Sequence, residues 1–137
     1  MRGSLQHGSL PDRLMPKETV IGWLDEPEEH DYPAAKSYLT LAYDERKADA
    51  YVERLKAARI EMFKAKDIFR ASGLSLLGVS NGHVAKDKEK IDSGKKLSPL
   101  LLVRDPVQGR VIVADGYHRL CAVYSYDEDA VIPCKIV

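Results

Sequence analysis

The run Val113-Ala114-Asp115-Gly116-Tyr117-His118-Arg119-Leu120-Cys121-Ala122 decides how this chain folds. Its apolar start reads as the end of a strand, and Asp115-Gly116 reads as a turn. A helix is predicted from Gly116 to Tyr126. It is apolar nearly all round through Leu120, Cys121, Ala122, Val123 and Tyr124, so it should be well buried. The first amides of a helix have no partner inside it and lie at the positive end of its dipole. With His118 and Arg119 beside those amides, the junction suits an anion, most naturally phosphate. Asp115 admits two readings: an N-cap that fills one of the amides itself, or a working carboxylate.

Downstream, Val131–Val137 reads as a final strand after an acidic turn, Asp127–Ala130. Upstream, Pro99–Arg104 reads as a buried strand carrying Leu100-Leu101-Leu102-Val103. The tight connection Asp105–Gly109 joins it to Arg110–Ala114, which predicts a hairpin. Ser80–His83 has turn chemistry, and a polar helix Val84–Ser93 follows, stopped by Gly94. Ile60–Lys64 reads as a strand with Ile60, Met62 and Lys64 inward. Ala65–Ser72 is a short helix with Ile68 and Phe69 inward and Gly73 as its stop. Leu74–Val79 fits either a strand or a buried turn. Nearer the start, Pro33 opens a helix with Ala34, Tyr38, Leu41 and Ala42 on one face. Asp44 then caps a second helix, Glu45–Ala58, with Ala48, Tyr51, Val52, Leu55 and Ala58 at helical spacing. Trp23 is expected to pack its segment onto the core. Asp25–Asp31, with His30 among acids, reads as a solvated loop rather than a metal site. The divisions are a flexible segment 1–17, a helical extension 18–59 and a domain 60–137.

Twenty-one basic residues balance twenty-one acidic ones in 137. Non-specific nucleic-acid binding rests on neutralising phosphates, so a neutral chain is a poor DNA binder except through a local basic face. No run has the length of a membrane span and no signal-peptide pattern leads the chain. Cys121 and Cys134 read as buried thiols of a reducing, cytoplasmic compartment, with their pairing left open.

From about Phe63 to Val137 the order of short motifs resembles the ParB/sulfiredoxin-like fold. Lys66-Asp67-Ile68 starts a short helix. A helix precedes Gly94, and Leu97-Ser98-Pro99-Leu100-Leu101-Leu102-Val103 is similar to the leucine, proline and apolar strand of ParB-type domains. A hairpin leads to Asp115-Gly116-Tyr117-His118-Arg119, then a helix, then a strand holding Ile132-Pro133. The resemblance implies a mixed α/β domain of the α+β kind, with a small mixed sheet and, here, an N-terminal helical extension. It implies nucleotide phosphates bound at the turn: Gly116, Tyr117, His118 and Arg119 as phosphate ligands, Asp115 and His118 as catalytic groups, and Asp115 facing Mg²⁺ carried with ATP or CTP. By analogy with the fold, Ser98, Lys95, Lys96, Asn81 and His83 are further candidates at the same edge. Two lysines after a helix-ending glycine more often face solvent, His83 more readily caps or lies in a loop, and Arg119 has a structural alternative, pairing with Asp127, Glu128 or Asp129 across the helix end.

Within that family, sulfiredoxins carry a cysteine immediately before the His-Arg pair. Tyr117 stands there in this chain, which argues against sulfinic-acid reduction. ParB proteins continue into DNA-binding domains, whereas this sequence stops at Val137. The Asp-Gly form of the motif is closest to that of free-serine kinases. Three functions follow as expectations. The first is a small phosphotransferase or nucleotide hydrolase acting on a hydroxyl-bearing metabolite. The second is a non-catalytic, nucleotide-gated module whose helices Pro33–Ala58 offer a surface to a second copy or a partner. The third is DNA binding, which neutral charge disfavours. The expected ligand is a nucleotide or a phosphorylated small molecule. Arg119→Ala is expected to abolish nucleotide binding and leave the fold intact.

Overall fold

A strand made wholly of apolar residues must be covered on both faces, because successive side chains point to opposite sides. Leu100-Leu101-Leu102-Val103 is such a run, and all four side chains are buried. The computed structural model describes residues 20–137 and supplies both covers. Its elements are α1 (Asp31–Leu39), α2 (Glu45–Ala57), β1 (Glu61–Lys64), α3 (Ala65–Ser72), α4 (Gly82–Asp92), β2 (Leu100–Asp105), β3 (Arg110–Asp115), α5 (Tyr117–Tyr126) and β4 (Val131–Ile136). The four strands form one mixed sheet in the order β1-β4-β2-β3, so the protein is of the mixed α+β class. β2 pairs antiparallel with β3 and parallel with β4, and β4 pairs antiparallel with β1.

The pleat sorts the core into two clusters. Leu100 and Leu102 meet Ile132, Cys134, Ile136 and the inner faces of α3, α4 and α5. Leu101 and Val103 turn the other way and meet Tyr32, Ala35 and Leu39 of α1 with Ala48, Val52 and Leu55 of α2. The first two helices are thus the second cover of the sheet, and their apolar stripes are spent on it. Asp44 caps α2 as its spacing predicts, accepting from the Lys47 amide at 2.8 Å. Gly73 closes α3 in the left-handed conformation. Trp23 packs against the larger cluster, where its segment bridges to Leu97.

Three expectations are corrected. α1 buries Asp31, Tyr32, Ala35 and Leu39, while Tyr38 and Leu41 are exposed; the short helix carries two apolar stripes, and the sheet takes the one led by Leu39. In β1 the pleat has the opposite phase: Phe63 packs on the core and Met62 is exposed. Residues 74–79 form neither strand nor buried turn; Leu74, Leu76 and Val79 reach solvent. Both cysteines are free and buried. Among the described residues no helix is long and apolar enough to cross a membrane. The segment 1–17 lies outside the described residues.

Candidate functional site

The hairpin delivers the chain to α5 through Asp115 and Gly116. Gly116 has φ +108°, which favours glycine, and a Cβ there would lie 2.8 Å from Leu100 Cγ and 3.0 Å from Arg119 Nη2. The turn therefore lets the backbone pass tight over β2 and under the guanidinium. Gly116, not Asp115, is the N-cap, and α5 has no side-chain cap. The first bond of the helix ladder runs from the Leu120 amide to the Gly116 carbonyl at 2.9 Å, leaving the Tyr117, His118 and Arg119 amides ahead of it. Asp115, open to two readings from the sequence, does not fill them.

Asp115 instead accepts from Arg119, Nη2 to Oδ2, at 2.9 Å. The same Nη2 lies 3.4 Å from the Pro99 carbonyl oxygen and 3.7 Å from Asp31 Oδ2. Asp31 is almost wholly buried and comes from the first turn of α1, the layer on the other side of the sheet. Its Oδ2 accepts from the Ser98 hydroxyl, which itself accepts from the Glu28 amide at 3.1 Å. Arg119 Nε is buried without a partner among the described residues. Burial lifts the Asp115 carboxyl above the usual carboxylate range; Arg119 opposes this but does not cancel it, and Asp31 adds to it.

In front of the open amides lies a polar pocket of about 240 Å³, walled by His83, Lys86, Asp87 and Lys90 of α4 and by residues 115–119. The rings of His83 and His118 are 4.8 Å apart between centroids. Burial, then His83, holds His118 below the ordinary histidine range. Asp87 is raised by burial, against the pull of Lys90, Arg119, His118 and His83. Lys86 and Lys90, one turn apart on α4, bring positive charge to the mouth.

Gly116, Tyr117, His118, Arg119, Asp115 and His83 share one pocket. Ser98 is close by, behind Arg119, as a partner of Asp31. Asn81 caps α4, its Oδ1 accepting from the His83 amide at 2.9 Å and from the Val84 amide at 3.3 Å, so it acts on the helix and not on the pocket. Lys95 and Lys96 are exposed beyond the far end of α4 and do not line the pocket. The lysines at the pocket are Lys86 and Lys90, which read in the sequence as ordinary solvated positions. Asp31 was also hidden, inside an acidic run with the composition of a loop. His30 is exposed, 3.4 Å from Glu28 and from Asp31. Among the described residues no group of three or more His, Cys, Asp or Glu is placed to hold a metal ion. The Arg119 guanidinium lies between Asp31 and Asp115, so the carboxylate oxygens in the pocket open to a Mg²⁺ ion are those of Asp87 and the Asp115 oxygen that Arg119 leaves free. No family model, no curated protein and no solved structure matches the chain.

Proposed function

We propose that this protein binds the phosphate group of a nucleotide, ATP or CTP, or of a phosphorylated metabolite, at the first turn of α5. One observation carries the reading: an uncapped helix start opens into a polar pocket that also holds Lys86, Lys90, His83 and His118. Open amides and flanking cations are the chemistry an oxyanion needs. Arg119 plays a different part from the one the motif suggests. Its charge is balanced by two carboxylates, so it holds the turn in shape, while the lysines and histidines of the pocket meet the ligand.

A second reading, phosphoryl transfer or nucleotide hydrolysis, is favoured by Asp115. Its carboxyl is buried at the pocket, raised by burial, and has one oxygen outside the Arg119 bond. Phosphoryl transfer asks mainly for positioning and charge compensation. Asp115 would accept a proton from an attacking hydroxyl, or its free oxygen would hold Mg²⁺ carried in on the nucleotide, which would neutralise phosphate charge. Two free buried thiols suit a cytoplasmic setting. Calorimetric titration with ATP and CTP, each with and without Mg²⁺, followed by assay of nucleotide consumption with small hydroxyl metabolites, tests both readings. Saturable, salt-sensitive binding is expected. Absence of binding by either nucleotide and by inorganic phosphate overturns the first reading, and binding without consumption overturns the second.

A further inference from the structure

Asp87 lies in the middle of α4, yet it is only 9% exposed. Burying a carboxylate is costly unless donors replace the water it gives up. Among the described residues nothing donates a hydrogen bond to it, and its one ion pair is with Lys90, a half-exposed side chain 3.9 Å away, beyond hydrogen-bond reach. α4 turns this carboxylate into the pocket at the start of α5, where Arg119, His118 and His83 act on it as well as Lys90. Burial keeps its proton affinity above the ordinary carboxylate range despite all four.

An anion alone has no use for this group. An ionised carboxylate repels phosphate, and oxygens that only accept have nothing to offer a phosphate oxygen. Asp87 must therefore serve a part of the ligand that donates. An ammonium is disfavoured, because Lys86, Lys90 and Arg119 already load the pocket with positive charge. A hydroxyl donates without charge and suits it. The walls offer a flat base little to stack on: the Tyr117 ring packs on the core, its hydroxyl donates to the Ser75 carbonyl, and the two imidazole rings lie against each other. We infer that Asp87 holds a hydroxyl of the same molecule whose phosphate sits on α5, so that the ligand is a small phosphorylated polyol. This rests on the phosphate reading above and adds the other half of the ligand to it. The plainer role for Asp87, a helix carboxylate kept for its pair with Lys90, predicts a loss of stability when the charge is removed and no change in ligand preference.

Calorimetric titration of the full chain with inorganic phosphate, n-propyl phosphate and glycerol 3-phosphate tests the assignment. The two esters match in chain length and charge and differ only in hydroxyls. Glycerol 3-phosphate is expected to bind more tightly than n-propyl phosphate by about tenfold or more, the effect of a hydrogen bond to a buried charge. Asp87→Ala should erase that preference while n-propyl phosphate binds at least as well as before, since a repelling charge is gone. Equal affinity of the parent protein for the two esters overturns the inference and leaves the phosphate reading standing, whereas no binding of any of the three overturns both. Equal loss of both esters in Asp87→Ala, or a preference that survives it, also overturns the inference. So does a preference present only with Mg²⁺, because Asp87 then holds the cation. If Asp87→Ala does not fold, Asp87→Asn, which keeps the shape and loses the charge, should cut the preference by about threefold or more. It should also melt no lower than the parent, and a marked loss of stability there would make Asp87 the partner of Lys90 and overturn the inference.

Discussion

Arg119 is the residue whose meaning changes most between sequence and structure. In the sequence it stands beside helix amides and reads as a phosphate ligand that can be removed without harm to the fold. In the structure its guanidinium is bonded to Asp115 and faces Asp31, two acids that burial would otherwise leave exposed to each other's charge. Arg119→Ala is therefore expected to destabilise the protein by about 1–3 kcal/mol, because it leaves the part-buried Asp115 and the buried Asp31 carboxylates short of a charged partner. Adding Asp115→Asn and Asp31→Asn should recover part of that loss in chemical denaturation. No recovery would show that the carboxylates are not what Arg119 holds. His118 gives a pH signature. Its folded-state proton affinity is depressed, so the stability it contributes is full above the unfolded value of about 6.5 and falls as pH drops toward the lower folded value. An anion in the pocket favours the charged ring, against Arg119 and with Asp87 nearby. Sulfate, whose charge is constant there, should bind more tightly as pH falls from about 7.5 to 5.5, and His118→Asn should flatten that trend.

The helix starts show what local sequence can and cannot tell. Asp44 and Gly73 are legible because each acts within a few residues of itself: a short polar side chain reaching an amide, or a glycine accepting positive φ; Asn81, read as a turn residue and a candidate for the site, caps α4 instead. Asn81→Ala is expected to cost about 1 kcal/mol in thermal or denaturant melts while leaving sulfate affinity unchanged, since its oxygen serves α4 and not the pocket. A large loss of affinity would return Asn81 to the site. The face of α1 was not legible in the same way. Ala34, Tyr38, Leu41 and Ala42 are as well spaced as Tyr32, Ala35 and Leu39. Only the sheet beneath chooses between them, and that contact is to Leu101 and Val103, far away in sequence. Strand phase in β1 failed for the same reason, because Met62 and Phe63 are both apolar and the choice belongs to the packing.

At the scale of the whole molecule, the run of β2 carries more information than any motif. Its four successive apolar residues already require covers on both sides, so Leu101→Ala and Leu102→Ala are each expected to cost about 2–5 kcal/mol in denaturant melts, though they face opposite clusters. A negligible effect of Leu101→Ala would mean that α1 and α2 do not share the core. The site was half legible. The turn, the glycine and the histidine lie together in the chain and Ser98 is suggested by the resemblance, whereas Asp31, Lys86 and Lys90 reach them only once the sheet and α4 are in place. An anion on the open amides of α5, as proposed, is detected by amide chemical shifts recorded while sulfate and then ATP are titrated in. The largest shifts are expected on the amides of Tyr117, His118 and Arg119, with smaller ones at Lys86 and Lys90. Saturating ligand that leaves those three amides unmoved, or that moves Lys95 and Lys96 instead, would contradict it.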